Sequence, residues 1–161
     1  MERQREAILT AAGDQLAQSL ISTVGAASWL SHQNAYAIEW PIQDFHQRIF
    51  SALECGYGAL YQEDEAPAGF VTWAWLDEDT DHRYRLGRFA LSAQERQAGT
   101  FLWLIDCLVL PSYSCSIAHQ VLNDLFEPGT PIRWLTPGRA GRVVRTISGA
   151  GREAELHGNW P

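Results

Sequence analysis

Apolar positions recur every four residues between Arg5 and Ser22, at Ile8, Ala12, Leu16 and Leu20, which predicts an amphipathic helix over about 5–22. Gly25 reads as its stop or as a turn. A second helix is predicted over Pro41–Glu54. Proline occupies its first turn, Ile42, Phe45, Ile49 and Leu53 form one face, and Cys55-Gly56 ends it. The period then changes. Tyr57–Tyr61 and Phe70–Leu76 are aromatic and aliphatic runs around the polar QEDEAPAG, the pattern of a hairpin. Asp77–Thr100 reads as a long polar connection holding a short edge strand at Tyr84–Leu91. The most apolar run, FLWLIDCLVL at Phe101–Leu110, reads as a central strand buried on both faces and stopped by Pro111. Ser112 and Ser114 stand where they would cap a helix reaching about Phe126, with Ile117, Val121, Leu122 and Leu125 inward. Strands at Ile132–Leu135 and Gly141–Ser148 follow, so the chain is expected to form an α+β (mixed α/β) domain on a sheet.

Composition narrows this picture. A length of 161 residues suits one domain, 1–161, with one core, and 46% hydrophobic with 19% charged residues reads as globular. No run approaches the ~18 apolar residues that span a bilayer. The opening MERQREAILTAAGDQL has no apolar centre of the signal-peptide kind, so the expected location is cytoplasmic. Cys55, Cys107 and Cys115 are odd in number and lack CxxC spacing, which argues against a disulfide framework or a zinc site; no metal is expected. A net charge of −7 argues against nucleic acid as a partner. The charge is uneven, however. Pro131–Arg152 carries Arg133, Arg139, Arg142, Arg145 and Arg152 and no carboxylate, which suits either an acidic partner or a solvated basic strand pair.

Asp106 is the anomaly of the central run. A buried ionised carboxylate without partners costs several kcal/mol, so it needs an arginine, a histidine or several donors. Two readings follow: a structural aspartate satisfied by such groups, or a catalytic carboxylate at the mouth of a cleft, and a charge in the middle of a strand favours the second.

Several stretches together resemble the RTX toxin-activating lysine acyltransferases. VGAASWL is similar to that family's Leu-Gly-x-x-x-Trp-Leu, EWPI to its Trp-Pro-Val, EAPAGFVTWAWLDEDTDHRY to a strand and the acidic stretch after it, and FLWLIDCLVLP to a strand bearing an aspartate. The resemblance runs from Val24 to about Leu110 and more faintly to Ala150, with Trp29, Trp40, Trp103 and Asp106 in register without a gap. It implies a GNAT-like fold, a central mostly antiparallel sheet flanked by helices. It also implies transfer of a fatty acyl chain from acyl carrier protein to a lysine-type amine of a protein or peptide, and it is compatible with a homodimer. The family's catalytic aspartate falls on Asp106. Its catalytic histidine falls on Ala37, in AIEWP, and a family serine falls on Asn34. The departure therefore lies on the chemistry itself.

Amide formation from a thioester needs a neutral amine, although an unperturbed lysine at pKa ~10.4 is mostly protonated near neutrality. It also needs polarisation of the carbonyl and neutralisation of the leaving thiolate. A histidine suits proton transfer, with a carboxylate orienting it. His32 is nearest to the vacant position, five residues before Ala37. On a continuous helix that offset turns about 140° to another face, so His32 serves beside Asp106 only if WLSHQNAYAIEWP is a loop. The alternative is an ordinary histidine bonded to backbone. His46, His82 and His119 have no sequence link to Asp106. Cys107 should face away from its neighbour Asp106 and belong to the core. The connection PSYSCSIAHQ contains neither glycine nor a basic residue, and so would hold the pyrophosphate of coenzyme A poorly. A carrier-protein donor needs only room for its pantetheine arm, for which Leu108, Val109, Leu110, Ser112 and Ser114 are the candidates, with Arg133, Arg139, Arg142 and Arg145 as the docking surface. No permanently bound cofactor is expected. Two further readings stand beside this one: a degenerate relative that binds carrier protein or client without acylating it, and a small-molecule N-acetyltransferase using acetyl coenzyme A.

Overall fold

The computed structural model describes residues 2–87, 90–138 and 141–147. Helix α1 spans Glu2–Gln33 and α2 spans Ile42–Glu54. The hairpin strands are β1 (Gly58–Glu63) and β2 (Ala66–Leu76), followed by α3 (Glu78–Arg85) and the single turn α4 (Ala93–Arg96). The central strand β3 (Phe101–Val109) leads through a short 3₁₀ turn at Pro111–Tyr113 into α5 (Ser114–Asp124), and β4 (Ile132–Gly138) and β5 (Gly141–Ile147) end the sheet. Strand order is β1-β2-β3-β4-β5. Only β3 and β4 run parallel, and they pair solely at Leu102–Ile132 and Trp103–Arg133. The expected mostly antiparallel sheet flanked by helices is therefore what forms, in an arrangement compatible with a GNAT-like fold.

The sheet is covered on both faces. On one side α5 buries Ile117, Val121 and Leu122 against Val71, Leu104 and Ile132. On the other, α1 and α2 pack Ala27, Leu30 and Ile49 onto Phe70 and Leu108. Beside them, Tyr84 of α3 joins Ala74, Leu76 and Trp103. Gly69 of β2 sits under α5, where an added Cβ would come within 2.7 Å of the Ile117 side chain, so the helix approaches the strand closely only because no side chain intervenes. Among the described residues, no helix is long and apolar enough to cross a membrane.

Four local expectations are corrected. Helix α1 does not end near Ser22: Gly25 lies within it, and Ala27 and Leu30 are buried just before the tight turn at Asn34, whereas Leu20 of the expected apolar face is exposed. The hairpin connection is far shorter than QEDEAPAG. Only Asp64 and Glu65 turn, both with positive φ (49° and 66°), as a two-residue hairpin loop with the strands' own twist requires. Among the described residues the edge strand expected at Tyr84–Leu91 does not form, since Tyr84 and Arg85 belong to α3. Asp77 caps that helix by accepting from the Thr80 N–H at 2.8 Å, and Arg83–Asp79 and Arg85–Asp81 pair along it at i,i+4. Finally, α5 begins without a serine cap: the Ser114 hydroxyl donates instead to the Pro111 carbonyl at 3.0 Å.

Candidate active site

Asp106 lies near the middle of β3, and its side chain is 1% exposed. A bulge puts it there. Thr72 of β2 pairs with Asp106, and the next residue, Trp73, pairs with Leu104, so Ile105 has no partner on β2. Leu104 and Cys107 consequently both face the α5-side core, while Asp106 faces α2. Each of its carboxylate oxygens accepts one side-chain hydrogen bond. Arg48 of α2 donates from Nη1 to Oδ1 at 2.7 Å. Thr72 Oγ1 donates to Oδ2 and accepts the Asp106 N–H, both at 3.2 Å. The requirement that Asp106 find a cation or several donors is met by an arginine and a threonine together.

Arg48 is held in turn. Its guanidinium lies 4.6 Å from the centre of the Trp40 ring, and Tyr36 meets that ring edge-on at 5.3 Å. Burial pulls the Arg48 pKa down, but the Asp106 charge and hydrogen bond outweigh it and the net shift is upward. Behind Arg48 lies Arg96, fully buried. It donates to the Arg48 carbonyl at 2.9 Å, to Ser51 Oγ at 2.8 Å and to the Trp73 carbonyl at 3.2 Å. Burial lowers its pKa, against the opposing pull of Asp106. Thus α4 ties the α2 turn that carries Arg48 to β2 beside the bulge.

Asp106, Arg48, Trp40 and Tyr36 line a cavity of about 340 Å³. One wall is Leu104–Cys107 of β3 and the opposite one Trp134–Thr136 of β4, with Tyr36, Trp40, Arg48 and Tyr84 around them. It follows the gap where β3 and β4 part company after the Trp103–Arg133 pair. Parallel strands that separate expose backbone N–H and C=O groups to whatever enters between them. Tyr36 contributes its hydroxyl. Although the residue is 51% exposed, its oxygen accepts the Cys107 N–H at 3.2 Å. Burial, and then the Asp106 charge, hold this phenol well above its ordinary pKa. The Cys107 thiol points into the α5-side core, where burial and the Asp106 charge push its pKa far up, so it is no thiolate nucleophile.

The structure brings together only part of what the sequence singles out. His32 lies in the last turn of α1, exposed, and does not line the cavity. The condition for its catalytic role, a loop able to carry it to Asp106, is not met because Trp29–Gln33 is helical. Among the described residues no histidine lines the cavity: His46 stacks on Phe50, His82 is on α3, and His119 contacts Asn123 on α5. Ala37 is 3% exposed, and its methyl group packs with Ala27, Leu30 and Phe45. Asn34 Nδ2 donates to the Leu30 carbonyl, closing α1. Of the donor-binding candidates, Leu108 and Val109 are core residues on opposite faces and Leu110 is half-buried. Ser112 is exposed and Ser114 is bonded to Pro111; none of the five lines the cavity. Arg133 is committed to Asp81 at 2.8 Å and lies over the Phe101 ring. Arg145 is exposed on β5, while Arg139 and the side chain of Arg142 lie outside the described residues. Sequence reasoning did not single out Arg48, Thr72 or Tyr36. Only the demand of Asp106 for a cation pointed towards the first.

Comparison with known proteins places this sequence in a family. The sequence model of HlyC, the RTX toxin acyltransferase family, matches residues 17–149. A protein-lysine myristoyltransferase, RtxC, of Kingella kingae is 27% identical over 108 residues, 67% of this chain and 64% of that protein. A protein-lysine palmitoyltransferase, CyaC, of Bordetella bronchiseptica is 24% identical over 131 residues, 81% of this chain and 71% of that protein. The RTX-I toxin-activating lysine-acyltransferase ApxIC of Actinobacillus pleuropneumoniae is 23% identical over 137 residues, covering 84% and 73% respectively.

Proposed function

We propose that this chain, which belongs to the RTX toxin acyltransferase family, moves a fatty acyl group from acyl carrier protein to a lysine-type amine of a protein or peptide in the cytoplasm. The observation that carries the reading is the buried Asp106, fixed by Arg48 and Thr72 at the wall of a cavity between two parting strands. A pantetheine arm is an extended chain with two amides, suited to the backbone edges exposed where parallel strands separate. The apolar residues Leu104, Ile105, Trp134 and Leu135 suit the start of an acyl chain. Asp106 attracts the acceptor ammonium and is the nearest carboxylate to receive its proton, which leaves the amine nucleophilic. The glycine-free PSYSCSIAHQ connection favours a carrier-protein donor over coenzyme A. Arg145 of β5 offers cationic surface for an acidic carrier, whereas Arg133 is already paired with Asp81.

One observation favours a second reading. A methyl group in the core, Ala37, stands where the resemblance expects an imidazole, which suits a relative that binds carrier or client without transferring the acyl group. The test is to incubate the purified protein with acyl carrier proteins of several chain lengths and a lysine-bearing acceptor encoded nearby. The acceptor is expected to gain one acyl mass, and Asp106→Asn is expected to abolish the gain. Carrier binding without any mass gain would favour the second reading.

A further inference from the structure

The acyl-transfer reading leaves open which group polarises the thioester carbonyl. A backbone N–H near the reacting carbonyl would ordinarily be the first choice. Here the Cys107 N–H at the cavity wall is already spent on the Tyr36 hydroxyl. The Arg48 Nη1–H and the Thr72 hydroxyl, likewise, are directed at Asp106. The phenol that receives the Cys107 bond keeps its own proton, and among the described residues that proton has no acceptor. The Tyr36 ring is fixed edge-on against Trp40, whose other neighbour is the Arg48 guanidinium, so Tyr36 and Asp106 are two ends of one packed array.

Resting on the acyl-transfer reading above, we propose that Tyr36 is a catalytic residue: its O–H, anchored by the Cys107 N–H, donates to the thioester oxygen and carries its developing charge. A hydrogen bond accepted from a backbone amide makes the phenol a stronger donor, because linked bonds polarise one another. Burial keeps the group protonated, so it serves as a neutral donor. The step balances without any other reactant. The neutral amine nitrogen attacks the carbonyl carbon, a C–N bond forms, and the C=O π pair moves to the oxygen held by Tyr36. That pair then returns, the C–S bond breaks, and the sulfur leaves with its electrons. The proton lost from the amine nitrogen ends on this sulfur, giving an amide and a thiol. Tyr36 therefore takes part from the residue beside the one where the resemblance expects histidine, with a different task.

Tyr36→Phe removes one oxygen and keeps the ring on Trp40. With acyl carrier protein as donor, kcat is expected to fall about 100-fold or more while KM changes by less than about threefold, as for loss of an oxyanion donor. A second readout needs no turnover: the infrared carbonyl stretch of a carbon-13-labelled acyl-pantetheine thioester bound without amine. It is expected at lower frequency on the wild-type protein than in water, with the downshift lost in Tyr36→Phe. A variant retaining kcat within about threefold of wild type, or an equal downshift in both proteins, overturns the assignment and leaves the transfer reading intact. A wild-type protein that transfers no acyl group yet shows a Tyr36-dependent downshift overturns the transfer reading and with it the catalytic role, and leaves Tyr36 only as a donor to the bound thioester. Failure of both proteins to bind the thioester overturns both.

Discussion

Replacing Arg48 by methionine tests the physical basis of the site. The substitution keeps much of the side-chain volume and removes the guanidinium that donates to Asp106 at 2.7 Å. Asp106 is 1% exposed and would be left with the Thr72 hydroxyl alone. Breaking a buried pair in this way costs about 3–5 kcal/mol, because the remaining charge has neither solvent nor an opposite charge beside it. Loss of the contact with the Trp40 ring adds about 0.5–1 kcal/mol. Arg48→Met should therefore cost about 4 kcal/mol, which for a chain of this size lowers Tm by about 8–16 °C. In an Asp106→Asn background the same change should cost only about 1 kcal/mol, since the amide keeps the Thr72 bonds and carries no charge. The coupling in the four-protein cycle is then about 3 kcal/mol, read from urea unfolding at neutral pH. Costs that add to within about 0.5 kcal/mol would show that Arg48 and Asp106 do not stabilise one another, and the reasoning would fail.

Restoring the imidazole expected from the resemblance should harm rather than help: Ala37→His forces a ring into a position 3% exposed, costing about 1–3 kcal/mol by overpacking in thermal unfolding. A stable variant with raised acyl transfer would show instead that the core there yields. Burial, followed by the Asp124 charge, pushes the Tyr61 phenol to about 12. The folded value lies above the unfolded value of about 10, so its contribution to stability is whole below pH 10 and is lost as the pH rises from 10 towards 12. Tyr61→Phe should flatten that part of the alkaline unfolding curve; equal slopes in the two proteins would refute the shift.

The parts of the fold legible in the sequence are those where one strong pattern acts alone. The inward side of α5 and most of the apolar face of α2 answer to one helical period and β3 to one apolar run, and each element forms close to where it was expected, although Ile42, expected on the α2 face, is 82% exposed. Misreadings arise where a residue type has two meanings. Gly25 continues α1 because the buried face of the helix outweighs the modest penalty of one glycine. DEDTDHRYR reads as polar connection, yet its alternating charges sit at helical spacing and pair along α3. The demand for a partner at Asp106 was legible; its identity was not, because all twelve basic residues of the chain are arginine and sequence separation does not rank them. Tyr36 carried no signal of its own beside a histidine four residues away, and only the folded backbone brings its oxygen to Cys107.

The unbroken apolar look of FLWLIDCLVL has a different origin from the one its composition implies. Up to Leu104 the even-numbered residues face α5; from Cys107 onward the odd-numbered ones do, and Ile105 is the supernumerary residue at the splice. The strand is two alternations joined out of phase. Under strict alternation Asp106 would follow Leu102 and Leu104 into the α5-side core, and Cys107 would face Arg48. The make-up of the site thus depends on a count: a single extra residue in β3, rather than any choice of side chain, decides which of two adjacent side chains meets Arg48 at the cavity and which joins the core under α5.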